Sequence, residues 1–296
     1  MKSSAELFWS ILTIDITSPP TPLLTGEGSI AENIETCFEM ARIFEQKYSR
    51  FIPGNYLDTL NTNKNSAIDP EFFSIINLCL KASQMTRWYF DITVLPILEN
   101  AGYWVSKNKL KEDIWYKNIV LSENKIELLH WVSIDLWSVG KGYMIDKIYK
   151  YLDKKYSNFI IDFGGDIRIK GEHVISLEDP NLDQPHPNPL LIGEGTGTIW
   201  WVVLDNNSIA SSSGNRRQFW DAHHLMNPMS GKSVDDKQTI FLTHKLASFS
   251  DIFSTALFVS PIDIAITVLN TVVWLEGMII MSDGTIHKTK DFIWKK

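Results

Sequence analysis

Two glycine-rich turns within residues 133–168 could together form an anion-binding site. The first, Gly-Lys-Gly at residues 140–142, precedes a predicted helix, so backbone N–H groups and a lysine would gather at the helix start. The second, at residues 162–166, follows a predicted strand and carries two glycines between two aspartates. We expect the two turns to lie close together. Each turn alone is more often a plain helix entry or a tight turn, so function depends on the rest of the chain.

A second polar cluster occupies residues 208–234. The serine hydroxyls and backbone N–H groups of residues 211–214 could hold a phosphate, which the arginines at residues 216–217 would neutralise. Composition by itself slightly favours a solvated loop. His223 and His224 lie between this segment and an Asn-Pro turn, where an imidazole could act as a general base near neutral pH. A lone histidine is more often structural.

The third cluster is an aspartate and a threonine four residues apart, Asp251 and Thr255. At this spacing a helix presents the carboxylate and the hydroxyl on one face. Hard oxygen ligands of this kind suit Mg²⁺. The pair also has a structural interpretation, because Asp is favoured in a first helical turn and Thr often bonds to the preceding turn.

The apolar pattern predicts a mixture of helices and strands to hold these groups. A long helix is predicted from one apolar face comprising Ile30, Ile34, Phe38, Ala41 and Phe44, and a second, largely buried helix is predicted to begin at Pro70. Strands are predicted at residues 8–16, 125–134, 159–162 and 200–210. Because helices and strands come in mixed order, the fold class is α+β.

Composition limits the class of protein. The chain has 296 residues, of which 44% are hydrophobic, enough for a packed core in one large domain or two small ones. A net charge of −7 argues against a nucleic-acid partner, although a local basic pocket could bind a small phosphate ligand. Cys37 and Cys79 lie in apolar helical patterns and are expected to be buried thiols, with neither a disulfide framework nor a zinc site.

The sequence also predicts organisation and location. No apolar run reaches the roughly 20 residues of a membrane span, and residues 1–16 make a poor secretory signal. The expected location is cytoplasmic as written, or periplasmic if a leader was removed. Residues 181–197, rich in proline and glycine, are interpreted as a surface excursion rather than a linker. We therefore expect one domain over residues 1–296, folded as two lobes.

Seven segments in order carry a family resemblance. They read SRFIPGNYLDTLN (49–61), DITVLPILENAGYW (91–104), IDLWSVGKGYMIDK (134–147), IDFGGDI (161–167), SIASSSGNRR (208–217), HHLMNPMSG (223–231) and SDIFSTALFV (250–259). This succession resembles the ApbE family of FAD:protein FMN transferases, and the likeness spans most of the chain.

The resemblance implies a bilobal α+β fold with mixed or antiparallel sheets and an active site in the cleft between the lobes. It implies an enzyme that binds FAD with Mg²⁺, transfers FMN to a Thr or Ser hydroxyl of an acceptor protein and releases AMP. Such chemistry needs a metal on the pyrophosphate, basic groups around it and a base for the attacking hydroxyl. The implied partners are FAD and the acceptor protein, without nucleic acid or a membrane span.

Site residues are carried over position by position. The resemblance implies that Asp251, Thr255 and a backbone carbonyl of Gly140 or Ser138 bind the metal. It implies that His224 is the base. The residues implied to contact flavin or nucleotide are Phe51, which would pack near the flavin, and Asp135, Lys141, Asp166, Ser212, Ser213 and Arg216.

The chain departs from the family pattern at several positions. Asn227 replaces the usual Asp, Ser230 replaces the usual Thr, and Trp137-Ser138 replaces the common Gly-Gly. The familiar Met-Gly-Thr is absent around residues 7–9. Asn227 and Trp137 motivate an alternative, an FAD-binding protein that has lost transfer activity. A further alternative is an FAD pyrophosphatase, in which water replaces the protein hydroxyl, and the remaining one is a structural protein that binds no flavin.

Overall fold

The structure is a computed structural model that describes residues 1–8, 10–17, 29–102, 114–178, 198–214, 218–219, 222–272, 274–292 and 294–295. The helices are α1 (Ile30–Tyr48), α2 (Tyr56–Asn63), α3 (Pro70–Met85), α4 (Leu95–Asn100), α5 (Trp137–Leu152), α6 (Ala247–Val259) and α7 (Ile262–Thr271). No helix in these ranges is both long enough and apolar enough to cross a membrane.

The strands are short and numerous. They are β1 (Lys2–Leu7), β2 (Ser10–Ile16), β3 (Asn65–Ala67), β4 (Ile119–Ser122), β5 (Lys125–Leu128), β6 (Phe159–Phe163), β7 (Asp166–Lys170), β8 (Glu172–Glu178), β9 (Thr198–Asp205), β10 (Ser208–Ser213), β11 (Gln218–Phe219), β12 (Ala222–His223), β13 (Met226–Asn227), β14 (Lys232–Ser233), β15 (Lys237–His244), β16 (Glu276–Met281), β17 (Ile286–Lys288) and β18 (Trp294–Lys295).

An eight-stranded sheet in the order β1-β2-β6-β7-β10-β15-β16-β17 is the centre of the fold. Two three-stranded sheets, β18-β9-β8 and β3-β5-β4, and two short hairpins accompany it. Every described strand pair is antiparallel. The predicted α+β class is confirmed, and the sheets of the described residues are antiparallel rather than mixed.

The central sheet separates two hydrophobic cores. Successive side chains of a strand point to opposite faces, and β15 shows the result. Ile240 and Leu242 join the larger core, which also contains residues of α1, α3, α5 and α6. Phe241 joins a smaller core, formed with the inner face of the β8–β9 sheet. The described residues therefore form helix, sheet and sheet layers.

The two helices predicted from apolar spacing are confirmed, and their first residues explain where they begin. Ser29 and Glu32 cap α1 reciprocally, each side chain accepting the backbone N–H of the other residue. Asp69 accepts the N–H of Phe72 at the start of α3, with Pro70 in the first turn. The prediction for the cysteines also holds, since Cys37 and Cys79 are free thiols with no exposed surface.

Three predicted strands are wrong in extent, because each runs through a turn: residues 8–16, 125–134 and 200–210. A non-glycine residue with positive φ stands at each interruption, namely Phe8 at 52°, His130 at 51° and Asn206 at 47°. Residues 8–16 contain only β2, residues 125–134 contain only β5, and residues 200–210 are shared between β9 and β10 of different sheets. Nothing in the apolar pattern marks such residues as left-handed.

The Gly-Lys-Gly segment does not precede its helix as predicted, because α5 begins at Trp137 and contains all three residues. Gly142 allows α5 to pack closely against α6. A Cβ on Gly142 would lie 2.6 Å from the Ala247 carbonyl oxygen and 2.7 Å from Ser248 Cα, so α5 and α6 cross too closely for any side chain. The second predicted turn is confirmed, with Gly164 and Gly165 joining β6 to β7 at φ values of 65° and 93°. Residues 181–197 lie outside the described residues.

Candidate active site

A cavity collects most of the residues that the sequence singles out. Segments from the start of α5, the β6–β7 turn, the end of β10, residues 224–228 and α6 form its wall. The sequence-predicted residues that line it are Asp135, Ser138, Lys141, Ser212, Ser213, His224, Asp251 and Thr255. Phe51, Gly140 and Asp166 lie behind this lining, next to Trp137 and Lys141. Arg216 lies outside the described residues.

The Asp251 and Thr255 side chains come from one face of α6, as their spacing predicts. Asp251 is buried, and its Oδ2 accepts a hydrogen bond of 3.0 Å from the Gly142 N–H of α5. In an uninterrupted helix the Gly142 N–H would donate to the Ser138 carbonyl, four residues earlier. Asp251 therefore competes with the Ser138 carbonyl for this hydrogen. Because the Ser138 oxygen shares its helical donor with Asp251, it is the better of the two carbonyls for binding a cation.

These groups fit a magnesium ion by the chemistry of their donors. A carboxylate, a hydroxyl and a backbone carbonyl are all hard oxygen ligands, and Mg²⁺ keeps several waters beside one or two carboxylates. Of the two carbonyls that the sequence leaves open, Ser138 belongs to a residue that lines the cavity. No cluster of three or more His, Cys, Asp or Glu suited to a metal occurs among the described residues. A cation here would thus depend on Thr255 and Ser138 as well as Asp251.

The serine run is a strand, β10, rather than the loop that composition favours. The Ser212 and Ser254 hydroxyl oxygens lie 2.9 Å apart, and Ser254 donates its own hydrogen to the Asp251 carbonyl at 3.0 Å. Ser212 must therefore donate to Ser254, since each hydroxyl has one hydrogen. Ser213 likewise donates to the Gln238 carbonyl at 2.9 Å. With these bonds in place, both hydroxyls can only accept from a ligand, which suits a ribose or a base better than a phosphate.

The two adjacent histidines have different surroundings. His223 is buried, with Nδ1 accepting from the Leu225 N–H at 3.2 Å and Nε2 lying 2.9 Å from the Val234 carbonyl oxygen. These bonds place its hydrogen on Nε2 and make it a structural residue. His224 lines the cavity, with its Nδ1 buried, so its imidazole is the one of the two that faces a ligand site. The structure thus separates the candidate base from its neighbour.

Two ion pairs border the cavity. Lys141 donates to Asp166 Oδ2, which joins the two glycine-rich segments as the sequence predicts. Arg50 Nε lies 3.7 Å from Asp135 Oδ2, and both side chains are almost fully buried. Sequence reasoning missed Arg50, although it stands beside Phe51 in the first quoted segment. Its guanidinium lies 4.6 Å from the centre of the Phe51 ring.

Asp91 was also missed as a site residue, although it opens the second quoted segment. It lines the cavity and is buried. Its carboxylate accepts from the Thr93 N–H and hydroxyl, both at 2.8 Å, from the Tyr116 N–H at 2.9 Å, and from the Trp88 indole. Burial nevertheless raises the pKa of Asp91 above its ordinary value. These bonds hold together the connection between α3 and α4, which forms one wall of the cavity.

Trp137, a departure from the family pattern, contributes an aromatic surface to the cavity. Its ring meets Phe51 edge to face with centroids 5.6 Å apart, and its backbone N–H donates to Asp135 Oδ1 at 3.2 Å. Phe51 therefore lies behind Trp137 relative to the cavity. A flavin ring in the cavity would therefore meet Trp137 before Phe51.

Asn227, the other notable departure, is a structural residue. Its Nδ2 donates to the Val259 carbonyl at the end of α6 at 3.0 Å, and its Oδ1 accepts from the Met229 N–H at 2.8 Å and the Ser230 N–H at 3.2 Å. Its neighbours Met226 and Pro228 line the cavity. An ionised aspartate could accept the two N–H groups but could not donate to Val259.

Comparisons with known proteins agree with the motif reading. The model of the ApbE family matches residues 10–278. The FAD:protein FMN transferase of Buchnera aphidicola subsp. Schizaphis graminum is 27% identical over 236 residues, 71% of this chain and 64% of that protein, so the match spans less than two thirds of the relative's length. The Haemophilus influenzae protein of the same name is 24% identical over 267 residues, 80% of this chain and 74% of that protein.

Solved structures show the same fold. The ApbE protein of Thermotoga maritima superposes with a TM-score of 0.81 at 19% identity, covering 99% of this chain and 97% of that one. The flavin transferase ApbE of Vibrio cholerae gives a TM-score of 0.81 at 16% identity, with coverage of 99% and 97%. At these identities the likeness concerns the fold, which is an antiparallel α+β architecture in the described residues.

Proposed function

The chain belongs to the ApbE family, and from this premise we propose that it transfers FMN from FAD to a Thr or Ser hydroxyl of an acceptor protein, with release of AMP. The observation that carries the proposal is the convergence of Asp251, Thr255 and His224 on one cavity. Transfer of a phosphoryl-linked group to a hydroxyl requires oxygen ligands for a cation and a base. Asp251 and Thr255 would supply the ligands, and His224 would supply the base.

The proposed reaction breaks one bond of the FAD pyrophosphate and forms one bond to the acceptor. The acceptor hydroxyl oxygen attacks the phosphorus on the FMN side, and the bond from that phosphorus to the AMP oxygen breaks. The hydroxyl proton passes to the imidazole of His224, and AMP leaves with the electron pair of the broken bond. FAD and the protein hydroxyl are thereby converted to an FMN phosphoester and AMP.

Asp251, Thr255 and the Ser138 carbonyl would hold Mg²⁺, which supplies neutralising charge on the pyrophosphate. Asp251 is pre-oriented for this purpose, since the Gly142 N–H fixes its Oδ2. Lys141 lines the same cavity and carries three N–H donors, of which the bond to Asp166 requires one. The remaining donors can approach a phosphate oxygen. Mg²⁺ and Lys141 would supply positive charge at the cavity, although the chain as a whole has a net charge of −7.

Nothing in the contacts of Asn227 supports the alternative of lost activity. Its side chain stabilises the turn after His224 and the end of α6, so a missing carboxylate at this position removes no group from the cavity lining. Trp137 lines the cavity together with His224, Asp251 and Thr255, so its presence removes none of them from the wall.

The test is to incubate purified protein with FAD and Mg²⁺, with and without a flavin-acceptor domain, and to quantify AMP and the protein-bound flavin that survives denaturation. AMP together with a stable adduct on the acceptor is the expected result. Free FMN in place of the adduct, even with several acceptor domains, would indicate the pyrophosphatase. Tight FAD binding with no AMP would contradict both activities.

A variant pair tests the base. His224→Ala should retain FAD binding and lose transfer by about 10²-fold or more, because general base catalysis contributes on the order of 10²–10⁴. His287→Ala, which removes a histidine from strand β17, away from the cavity, is the matched control and should transfer normally. Full transfer by His224→Ala would remove the base assignment.

A further inference from the structure

Asp146 joins α5 to the first turn of α6. Its Oδ1 accepts the Ala247 N–H at 2.8 Å, and its Oδ2 accepts the Ser248 N–H at 3.0 Å and the Ser248 hydroxyl at 2.6 Å. The first N–H groups of a helix have no partner within the helix, and a carboxylate there is favoured by the helix dipole. The cap of α6 is thus supplied by another helix instead of a residue next to it in sequence.

Arg168 of β7 completes this contact. Its Nη1 lies 2.5 Å from Asp146 Oδ1, and its guanidinium stacks 3.7 Å from the centre of the Tyr149 ring. Both charged side chains are largely buried, at 12% exposed for Arg168 and 15% for Asp146. A carboxylate that accepts four hydrogen bonds in such surroundings has little freedom to move.

One turn before Asp146, on the same face of α5, Gly142 bonds to Asp251. The two contacts therefore run side by side along the crossing of α5 and α6. Asp146 binds the first turn of α6, and Gly142 binds the carboxylate of Asp251, which lies one turn later in α6. Because the helices touch at Gly142 without an intervening side chain, a shift of α6 along α5 would displace Asp251 directly.

A second set of bonds fixes the rotation of α6. Ser250 pairs with Ser208 at 2.8 Å, and Ser254 pairs with Ser212 at 2.9 Å, so two hydroxyls one helical turn apart bond to two residues four apart in β10. Each of these serines immediately precedes one member of the Asp251 and Thr255 pair. Turning Ser250 and Ser254 toward β10 turns the pair toward the cavity.

We propose that Asp146 is a positioning residue for the cation site: it fixes α6 along α5, so that Asp251 reaches the Gly142 N–H and faces the cavity together with Thr255. This inference rests on the proposed function, because it assumes that Asp251 and Thr255 bind Mg²⁺. Asp146 itself does not line the cavity, so its effect on the cation is transmitted through α6.

The test compares Asp146→Asn with Asp153→Asn. Asp153 caps the end of α5 and pairs with Lys170 at a more exposed site, so its variant removes a carboxylate from the same helix without touching α6. Two quantities are measured against Mg²⁺ concentration: the rate of AMP release from FAD, and the rise in melting temperature in the presence of ADP. The second readout requires no turnover.

Asp146→Asn should raise the Mg²⁺ concentration at half effect by about tenfold or more in both readouts, as is typical when a partner of a metal ligand is removed. Asp153→Asn should remain within about twofold of the unmodified chain, since exposed pairs contribute little. A lower melting temperature with unchanged Mg²⁺ dependence would show a merely structural role and overturn the proposal. Absence of Mg²⁺ dependence in the unmodified chain would overturn the proposed metal site, and this inference with it.

A milder variant keeps the test decisive if Asp146→Asn fails to fold. Ser248→Ala removes only the hydroxyl that donates to Asp146 Oδ2 and leaves the backbone bonds in place. It should produce a smaller rise in the half-effective Mg²⁺ concentration, of at least about twofold. An unchanged value in Ser248→Ala would contradict the proposal.

Discussion

Hydrogen-bond partners decide what each side chain of the cavity can offer a ligand. The Ser212 hydroxyl lies in the cavity wall, but it donates its hydrogen to Ser254, so toward a ligand it can act only as an acceptor. Asp251 has one oxygen held by a backbone N–H, which orients its carboxylate before any cation arrives. At this scale residue type alone is a poor guide, because the same serine could donate or accept depending on its neighbour.

Asn227→Asp should destabilise the protein by about 1 kcal/mol at pH 7, because an ionised carboxylate cannot donate to the Val259 carbonyl. The loss should shrink as pH falls toward the ordinary aspartate pKa of about 3.9, where the protonated acid regains a donor. Urea unfolding at pH 7 and pH 4.5 measures the difference. Asn65→Asp, which alters an exposed amide donating to the Asn63 carbonyl, is the control. An equal loss at both pH values would contradict this account.

The secondary structure shows which local signals can be read from the sequence. The first two predicted helices were identified correctly, because an apolar face and a capping residue are both local features. The start of α5 was not identified correctly, because glycine is a poor helix former. Only the close crossing with α6 explains why Gly142 stands inside the helix. The strand interruptions at Phe8 and His130 are missed because the apolar pattern carries no signal for their positive φ.

Gly142→Ala should lower stability, although alanine is the better helix former by about 1 kcal/mol. Its Cβ would lie 2.6 Å from a backbone oxygen of α6, so the helices must separate, and overpacking typically costs about 1–3 kcal/mol. Gly140→Ala is the matched control, since its Cβ would meet only Phe44 at an ordinary 3.5 Å. Chemical denaturation of both variants measures the effect. Equal stability of the two would show that the crossing can relax.

The segment before α6 should respond to acid. His244 stacks on Phe249 and accepts the Leu246 N–H at 3.0 Å through Nδ1. Burial lowers the pKa of His244, reinforced by the positive charges of Arg168 and Lys245 and opposed by the carboxylate of Asp146. The unfolded chain therefore binds more protons than the folded protein, and stability should fall as pH decreases from about 6.5.

The His244→Asn variant isolates this contribution, because its Oδ1 can accept the same N–H but does not titrate. The melting temperature of the unmodified chain should fall more steeply between pH 6.5 and 5 than that of the variant. Parallel curves would show that His244 has no part in the acid response.

For the whole molecule, the sequence could name the motifs but not all of their contacts. The closeness of the two glycine-rich segments was predicted, and the bond between Lys141 and Asp166 confirms it. The pairing of Arg50 with Asp135 was not predicted. These residues are far apart in sequence and meet only when α1 and α5 pack in the larger core. The site depends on tertiary assembly, which a list of motifs does not contain.

The two buried cysteines provide a measure of whole-molecule stability. Burial raises the pKa of Cys37 to about 12 and also raises the pKa of Cys79, so neither thiol should react in the folded protein. A thiol reagent at pH 8 should label no cysteine before unfolding and two in denaturant. FAD with Mg²⁺ should slow labelling, because ligand binding stabilises the folded state. Rapid labelling of the native protein would contradict the buried environment of α1 and α3.

The strand order of the central sheet has a consequence for synthesis on the ribosome. Strand β10 lies between β7, made earlier, and β15, made later. Until β15 emerges, one edge of β10 has no neighbour to pair with, and the serines that hold α6 have no helix to bind. A nascent chain therefore exposes an open strand edge of the kind that invites intermolecular pairing. Because Asp251 and Thr255 emerge later still, a ligand of the cavity cannot bind this intermediate and stabilise it.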